Sequence, residues 1–217
     1  EGVAKSQVKK LGILGAGMMG AGIAHVSAKA GIEVVLLDTS QENAEKGKAY
    51  SESLLRKAIE RGRSTEEKAA ALLGRINPTT NYHDLAHCDL VIEAVFESVR
   101  IKAEVTAKTE AVVPESCVFA SNTSTLPISG LAQASERPRQ FIGLHFFSPV
   151  DKMPLVEVIL GKETDEETLA RSLDYVQQIR KTPIVVNDSR GFYTSRVFST
   201  FTAEGITMLA EGVRPAL

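Results

Sequence analysis

The chain is expected to adopt an α/β fold, a mostly parallel sheet with helices on both faces, followed by the start of an all-helical segment. Three observations predict this. Strand-sized apolar runs alternate with helical stretches along most of the 217 residues, and such alternation gives parallel sheets because each crossover helix packs back on the sheet. A glycine-rich turn, Gly15-Ala16-Gly17-Met18-Met19-Gly20, joins the first strand to the first helix without a gap. Near the other end, Phe192, Val197, Phe198, Phe201, Ile206, Met208 and Leu209 recur at roughly helical spacing, giving an apolar face that needs a surface to cover. That surface is expected to belong to a second domain; packing on the sheet or on a second subunit is the alternative.

The elements follow in order. Val8 to Leu14 reads as a strand, the alanine-rich Ala21 to Ala30 as a helix stopped by Gly31, and Ile32 to Leu37 as a buried strand ending at Asp38. Ser40 is placed to cap a long charged helix reaching about Arg61, with Gly62 as its breaker. Ser64-Thr65-Glu66-Glu67 has the pattern of a capping box opening another helix, and Asn77-Pro78 is read as the end of that region. Leu90 to Val95 is a strand, Val99 to Val113 a helix and Val118 to Ser121 a short strand. Phe141 to Phe146 and Leu155 to Leu160 are strands, Asp165 to Arg180 a helix and Pro183 to Val186 a last strand.

Bulk properties exclude several classes. The net charge is -2 and no basic stripe interleaves with aromatics, so no nucleic-acid partner is expected. The longest apolar runs are strand-sized, so no membrane span is expected. Cys88 and Cys117 lack metal-ligand spacing and read as buried free thiols, weakly favouring a reducing compartment. No metal is implied.

The unit from residue 8 to 38 has the parts of a dinucleotide cradle. Gly15 permits a sharp turn, Gly17 lets a pyrophosphate approach the backbone, and Gly20 lets helix and strand pack closely. The helix start offers free N–H groups and a positive dipole end to phosphate. Asp38 stands about twenty residues on, where a carboxylate accepts hydrogen bonds from a ribose diol. Thr39 and Ser40 follow it and no arginine is adjacent, which favours NAD over NADP. A tight turn that binds nothing is the competing reading, but both strands, the helix and the acid accompany the glycines, and the expected fold is Rossmann-like.

Ligands of such sheets sit beyond the carboxyl ends of strands, so chemistry is sought there. The link between Phe146 and Leu155 contains Pro149, Asp151 and Pro154. A hairpin centred on Asp151 would set His145 opposite Glu157, and cross-strand partners have neighbouring side chains. A carboxylate beside an imidazole fixes its tautomer and stabilises its protonated form, the requirement for a base in alcohol oxidation. A lone strand histidine is otherwise a satisfied core residue. Ser121-Asn122-Thr123-Ser124-Thr125 follows another strand and could bind a substrate oxygen or the nicotinamide, or make turns and caps. Glu97 and Lys102 could face the cofactor or form an exposed ion pair. His25, His83 and His87 are read as structural or surface residues.

Taken in order, GAGMMG, VIEAVFE, SNTST, GLHFFSPV, MPLVEVI and PIVVNDSRGF resemble the L-3-hydroxyacyl-CoA dehydrogenases of fatty-acid β-oxidation across nearly the whole chain. The SNTSTLPIS and RINPTTNY wording, with a linker-like start lacking methionine, is most similar to the dehydrogenase part of bacterial multifunctional fatty-oxidation enzymes. The resemblance implies a cytoplasmic enzyme that uses NAD and an acyl-CoA substrate, with a fused hydratase domain upstream and a helical domain downstream that supplies dimer contacts. On that pattern, residues 1–7 are a linker, 8–190 the NAD-binding domain and 191–217 the first helix of a truncated dimerisation domain.

It also implies roles. His145 matches a catalytic base, Glu157 the acid that holds it, and Ser124 a serine touching the substrate oxygen near the nicotinamide. Gly15, Ala16, Gly17, Met18, Met19, Gly20, Asp38, Val95, Phe96, Glu97, Lys102, Asn122, Ser124 and Ser148 are the expected cofactor-binding set. Ser124 and Ser195 are the expected substrate contacts. Two positions depart from the family: Ser148 stands where asparagine usually precedes the proline, and Ser195 where asparagine usually precedes the arginine. Serine has one hydroxyl where an amide has a carbonyl and an NH2, which bears on substrate affinity or turnover. The expectation is therefore NAD-dependent oxidation of a (3S)-3-hydroxyacyl-CoA. The rivals are a cofactor-binding scaffold or sensor that has lost catalysis, and a dehydrogenase of free β-hydroxyacids. This stretch of chain alone is expected to bind NAD but to turn over weakly, and to self-associate through its last helix.

Overall fold

The computed structural model describes residues 3–215; residues 1–2 of the expected linker and 216–217 of the expected last helix lie outside them. Lys10–Leu14 (β1), Met18–Lys29 (α1) and Glu33–Leu37 (β2) form the first crossover. Gln41–Glu60 (α2), Glu66–Leu73 (α3), Ile76–Thr79 (β3), Leu90–Glu93 (β4), Val99–Glu110 (α4), Val118–Ser121 (β5) and Ile128–Leu131 (α5) follow. Phe141–Phe146 (β6), Leu155–Leu160 (β7), Glu166–Gln178 (α6), Thr182–Asn187 (β8) and Thr194–Ala210 (α7) complete the described chain. One sheet carries the strands in the order β3-β2-β1-β4-β5-β6-β7-β8. β3 to β6 lie parallel, β7 pairs antiparallel with β6, and β8 runs parallel to β7.

Apolar side chains seal both faces. On one, Ile13, Ile92 and Val158 pack with Ile23 and Ala24 of α1, Leu55 of α2, Leu72 of α3 and Tyr175 of α6. On the other, Leu14, Val91 and Phe119 pack with Ile128 and Leu131 of α5, and Val105 of α4 packs against them. Strands apolar on both faces are what a sheet sandwiched between helices requires. Cys88 and Cys117 are both buried and free, and burial pushes each thiol up to about 12.

Three expectations need correction. The Asn77-Pro78 segment is a strand, β3, at the sheet edge; an edge is where proline's missing N–H is tolerated. The third helix is capped by Thr65, whose side chain accepts from the Lys68 N–H. The cap therefore sits one residue beyond Ser64, N3 is Lys68, and no capping box closes. The first helix begins at Met18, ahead of the alanine run, with Gly17 as its N-cap. Ser40 does cap α2, and Gly62 takes a left-handed φ of 67°. At the start of the chain, the Ser6 N–H and hydroxyl both donate to Asp174 of α6.

α7 leaves the sheet with its apolar residues uncovered: Phe198 is 66 % exposed and Phe201 75 %. Among the described residues no helix is long and apolar enough to cross a membrane.

Candidate functional site

The glycine turn after β1 has the form of a phosphate cradle. Gly15 takes φ +93°, and a Cβ there would meet the Ala94 carbonyl oxygen at 2.7 Å. A Cβ at Gly20 would lie 1.8 Å from the Gly15 carbonyl oxygen, so α1 can approach β1 only without a side chain. Gly17 has nothing within 4 Å of its Cβ position. Its freedom from side chain leaves room above the first turn of α1, where unpaired N–H groups and the dipole favour phosphate. These residues fit a dinucleotide.

Asp38 stands just past β2 beside the cradle. Its Oδ2 accepts from the Ala16 N–H at 2.7 Å and its Oδ1 from the Thr39 N–H at 2.7 Å. The carboxylate is thus aimed by the glycine turn itself. Met18 is 70 % exposed and Phe96 84 % exposed; Met19 and Val95 are half-buried. The Ser148 hydroxyl reaches the Met18 sulfur at 3.6 Å.

Four strands away, β6 and β7 pair with His145 opposite Glu157. His145 Nδ1 and Glu157 Oε2 are 2.7 Å apart, and the two residues are 7 % and 0 % exposed. Glu157 Oε1 accepts from the N–H groups of Tyr193 at 3.1 Å and Thr194 at 2.8 Å. The strand carboxylate therefore caps α7, which has no side-chain cap of its own. Burial works to raise the Glu157 carboxyl, but the His145 hydrogen bond and the Thr194 N–H outweigh it and hold it below its ordinary value. The chain reaches this geometry through a left-handed Phe192, φ +50°, whose ring centroid lies 6.1 Å from that of His145.

Asn122 joins the neighbouring strand ends. Its Oδ1 accepts from the Phe146 N–H at 2.9 Å, and its own N–H donates to the Glu93 carbonyl at 2.9 Å. Ser124 is exposed on the same loop, with its N–H on Glu97 Oε1 at 3.2 Å. Glu97 also accepts from the Thr123 hydroxyl. Lys102 is only 3 % exposed, and its ammonium contacts Glu93 and Glu97. It stands behind the loop, not as the exposed pair of the alternative reading. Ser195 is half-buried in the first turn of α7, beside Thr194.

The structure thus sets the glycine turn beside Asp38 and Met18 beside Ser148, and gathers His145, Glu157, Asn122 and the start of α7 at the β6–β7 pair. Sequence reasoning did not find Glu93, the Tyr193 and Thr194 N–H groups, or Phe192. An acid closing the apolar run Leu90-Val91-Ile92-Glu93 was the one available signal.

Residues 10–189 match the family model of the 3-hydroxyacyl-CoA dehydrogenase NAD binding domain. The chain is 38 % identical to a (S)-3-hydroxybutyryl-CoA dehydrogenase from Ralstonia eutropha, with TM-score 0.94 over 97 % of this chain and 75 % of that one. It is 35 % identical to FadB2 of M. tuberculosis, with TM-score 0.91 over 95 % of this chain and 73 % of that one. A 3-hydroxybutyryl-CoA dehydrogenase from Escherichia coli is 33 % identical, with TM-score 0.93 over 96 % of this chain and 44 % of that one.

Proposed function

The chain belongs to the 3-hydroxyacyl-CoA dehydrogenase family, oxidoreductases that act on a CH–OH group with NAD, and we propose that it oxidises (3S)-3-hydroxyacyl-CoA to 3-ketoacyl-CoA in fatty-acid β-oxidation, with His145 as the base. The observation that carries this reading is the buried 2.7 Å contact between His145 Nδ1 and Glu157. With Nδ1 held, Nε2 is the nitrogen left to take a proton. Glu157 stabilises the imidazolium that results.

The glycine cradle and Asp38 would hold NAD, which when bound would supply the hydride acceptor. The hydroxyl proton passes to His145 Nε2 as the C–H electron pair leaves with the hydride, and the C–O bond becomes C=O. Ser124 donates a hydrogen bond to that oxygen, and Asn122 holds the loop against β6. Ser195, in the first turn of α7, is the substrate contact of this reading, and Ser148, whose hydroxyl reaches Met18, belongs to its cofactor side.

The exposed apolar face of α7 supports a reading of residues 191–217 as the opening of a helical domain that supplies dimer contacts. The resemblance to bacterial multifunctional enzymes supports residues 1–7 as a linker from a hydratase domain and a cytoplasmic location.

The test is reduction of acetoacetyl-CoA by NADH with the full-length protein. Consumption of NADH is expected, with no consumption of a free 3-keto acid. A protein that binds NAD tightly yet consumes no NADH with the thioester would instead be a scaffold.

A further inference from the structure

Behind the Ser124 loop lies a cluster of charge that the reaction as described does not use. Glu93 closes β4 and is 1 % exposed. Lys102 Nζ, from α4, donates to Glu93 Oε1 at 2.8 Å and Oε2 at 3.0 Å, and lies 3.2 Å from Glu97 Oε2. The Ser121 hydroxyl and the Val95 N–H also donate to Glu93. The ammonium has three hydrogens and three carboxylate oxygens around it, so its donors are accounted for. Among the described residues no other cation pairs with either acid.

Burial pushes the Glu93 carboxyl above its ordinary value, against the pull of Lys102, Ser121 and the Val95 N–H. At Glu97, hydrogen bonds and Lys102 outweigh burial and hold the carboxyl below its own. With both ionised, two carboxylates against one ammonium leave a surplus of one negative charge. Burying charge costs desolvation, and one carboxylate would have sufficed to neutralise Lys102. The surplus sits at the carboxyl ends of β4 and β5, where Glu93 registers with Ser121, and Glu97 holds the Ser124 N–H. In open sheets of this kind ligands sit beyond the carboxyl ends of the strands.

We propose that the surplus negative charge of the Glu93–Lys102–Glu97 cluster makes the site prefer the oxidised over the reduced dinucleotide. The inference rests on the reading that the hydride acceptor's ring lies in the crevice lined by His145 and Ser124. The nicotinamide ring carries one positive charge when oxidised and none after it gains a hydride. A fixed negative charge attracts the first form and is indifferent to the second. One such charge about 10 Å away, at an effective dielectric of about 20, is worth roughly tenfold in relative affinity. Glu93 sets this preference without touching the ligand.

The test is calorimetric titration of the wild type, Glu93→Gln, Glu93→Asp and Glu97→Gln with NAD+, NADH and ADP-ribose at about pH 8. ADP-ribose shares the pyrophosphate and lacks the nicotinamide, so it reports whether the cradle is intact. Glu93→Gln is expected to weaken NAD+ roughly tenfold relative to NADH and to leave ADP-ribose unchanged. Glu93→Asp keeps the charge and the wild-type ratio. Glu97→Gln, nearer solvent, shifts the ratio in the same direction by a smaller factor, and it decides the matter if Glu93→Gln has lost ADP-ribose binding. An unchanged NAD+/NADH ratio in a Glu→Gln variant that still binds ADP-ribose overturns the proposal. A merely structural role would weaken both nucleotides alike. Neither result bears on His145, whose role is decided by turnover.

Discussion

Gly17 has nothing within 4 Å of where its side chain would stand, whereas His145 is buried against Glu157 and the rings of Phe147 and Phe192. Both positions belong to one sheet, Gly17 just past the end of β1 and His145 near the end of β6. On the proposed function the glycine turn would work through missing side chains: its backbone would meet the ligand, and Gly15 and Gly20 let it fold tightly. The β6–β7 hairpin would, on the same proposal, work through two side chains whose pairing the antiparallel register dictates. A cradle made of backbone confers affinity for a phosphate that many ligands share. A pair made of side chains confers chemistry, and it can be removed without unmaking the cradle.

The comparison breaks first at His145. His145→Gln is expected to lower turnover by about a thousandfold, the scale of a lost general base, while the dissociation constant for NAD stays within about twofold. Stopped-flow turnover and nucleotide titration on one preparation check both halves. A parallel loss of NAD affinity would mean that the hairpin also builds the cradle.

Glu157→Gln ranks next, with a turnover loss of about a hundredfold. Glutamine keeps a carbonyl for the Tyr193 and Thr194 N–H groups but offers His145 Nδ1 an amide, which disturbs the tautomer. The folded Glu157 carboxyl is held below its ordinary value of 4.5. Its contribution to stability is therefore full above about pH 4.5 and is lost as pH falls through the lowered folded value. Urea midpoints of wild type and Glu157→Gln are expected to differ at pH 7 and to converge as the solution is acidified toward pH 3. A gap that widens in acid would contradict the assignment.

The glycines sharpen the contrast, because neighbouring positions should fail differently. Gly20→Ala forces a Cβ within 1.8 Å of a backbone oxygen and is expected to destabilise the fold by about 3 kcal/mol or more. Gly17→Ala meets no atom and should stay within about 1 kcal/mol of wild type as an N-cap change, yet weaken NAD at least roughly tenfold by blocking the approach to the backbone. Thermal melts with and without NAD separate the two. Equal stability losses would remove the distinction between packing glycine and ligand glycine.

How far each region could be read from the chain follows from the same contrast. The cradle was legible because its requirements stand within one short stretch: strand, three glycines, helix, strand, acid. The hairpin was legible because Pro149, Asp151 and Pro154 forbid either strand to continue, so register followed from counting. β3 was not, since Pro78 argues against a strand unless the sheet edge is known in advance. Lys102 and Glu97 look like any surface pair until α4 is packed on the sheet. The hold of α7 on Glu157 left no trace in residue types at all, because its donors are main-chain N–H groups delivered by a left-handed phenylalanine.

Ser195→Asn is expected to have the smallest effect and probes a third kind of contribution, made neither by the cradle nor by the hairpin. Ser195 sits one residue past Thr194, whose N–H binds Glu157 at 2.8 Å, so it follows directly on the residue that ties α7 to the proposed catalytic pair. Asparagine restores a carbonyl and an NH2 where serine offers one hydroxyl. The second position of a helix tolerates the exchange within about 0.5 kcal/mol. KM for acetoacetyl-CoA in the full-length protein should fall about threefold, less than 1 kcal/mol and in keeping with one modest neutral hydrogen bond. NAD affinity should not move. If kcat changes instead while KM holds, α7 acts through Glu157 on the chemistry, and the side-chain region of the site extends beyond the sheet.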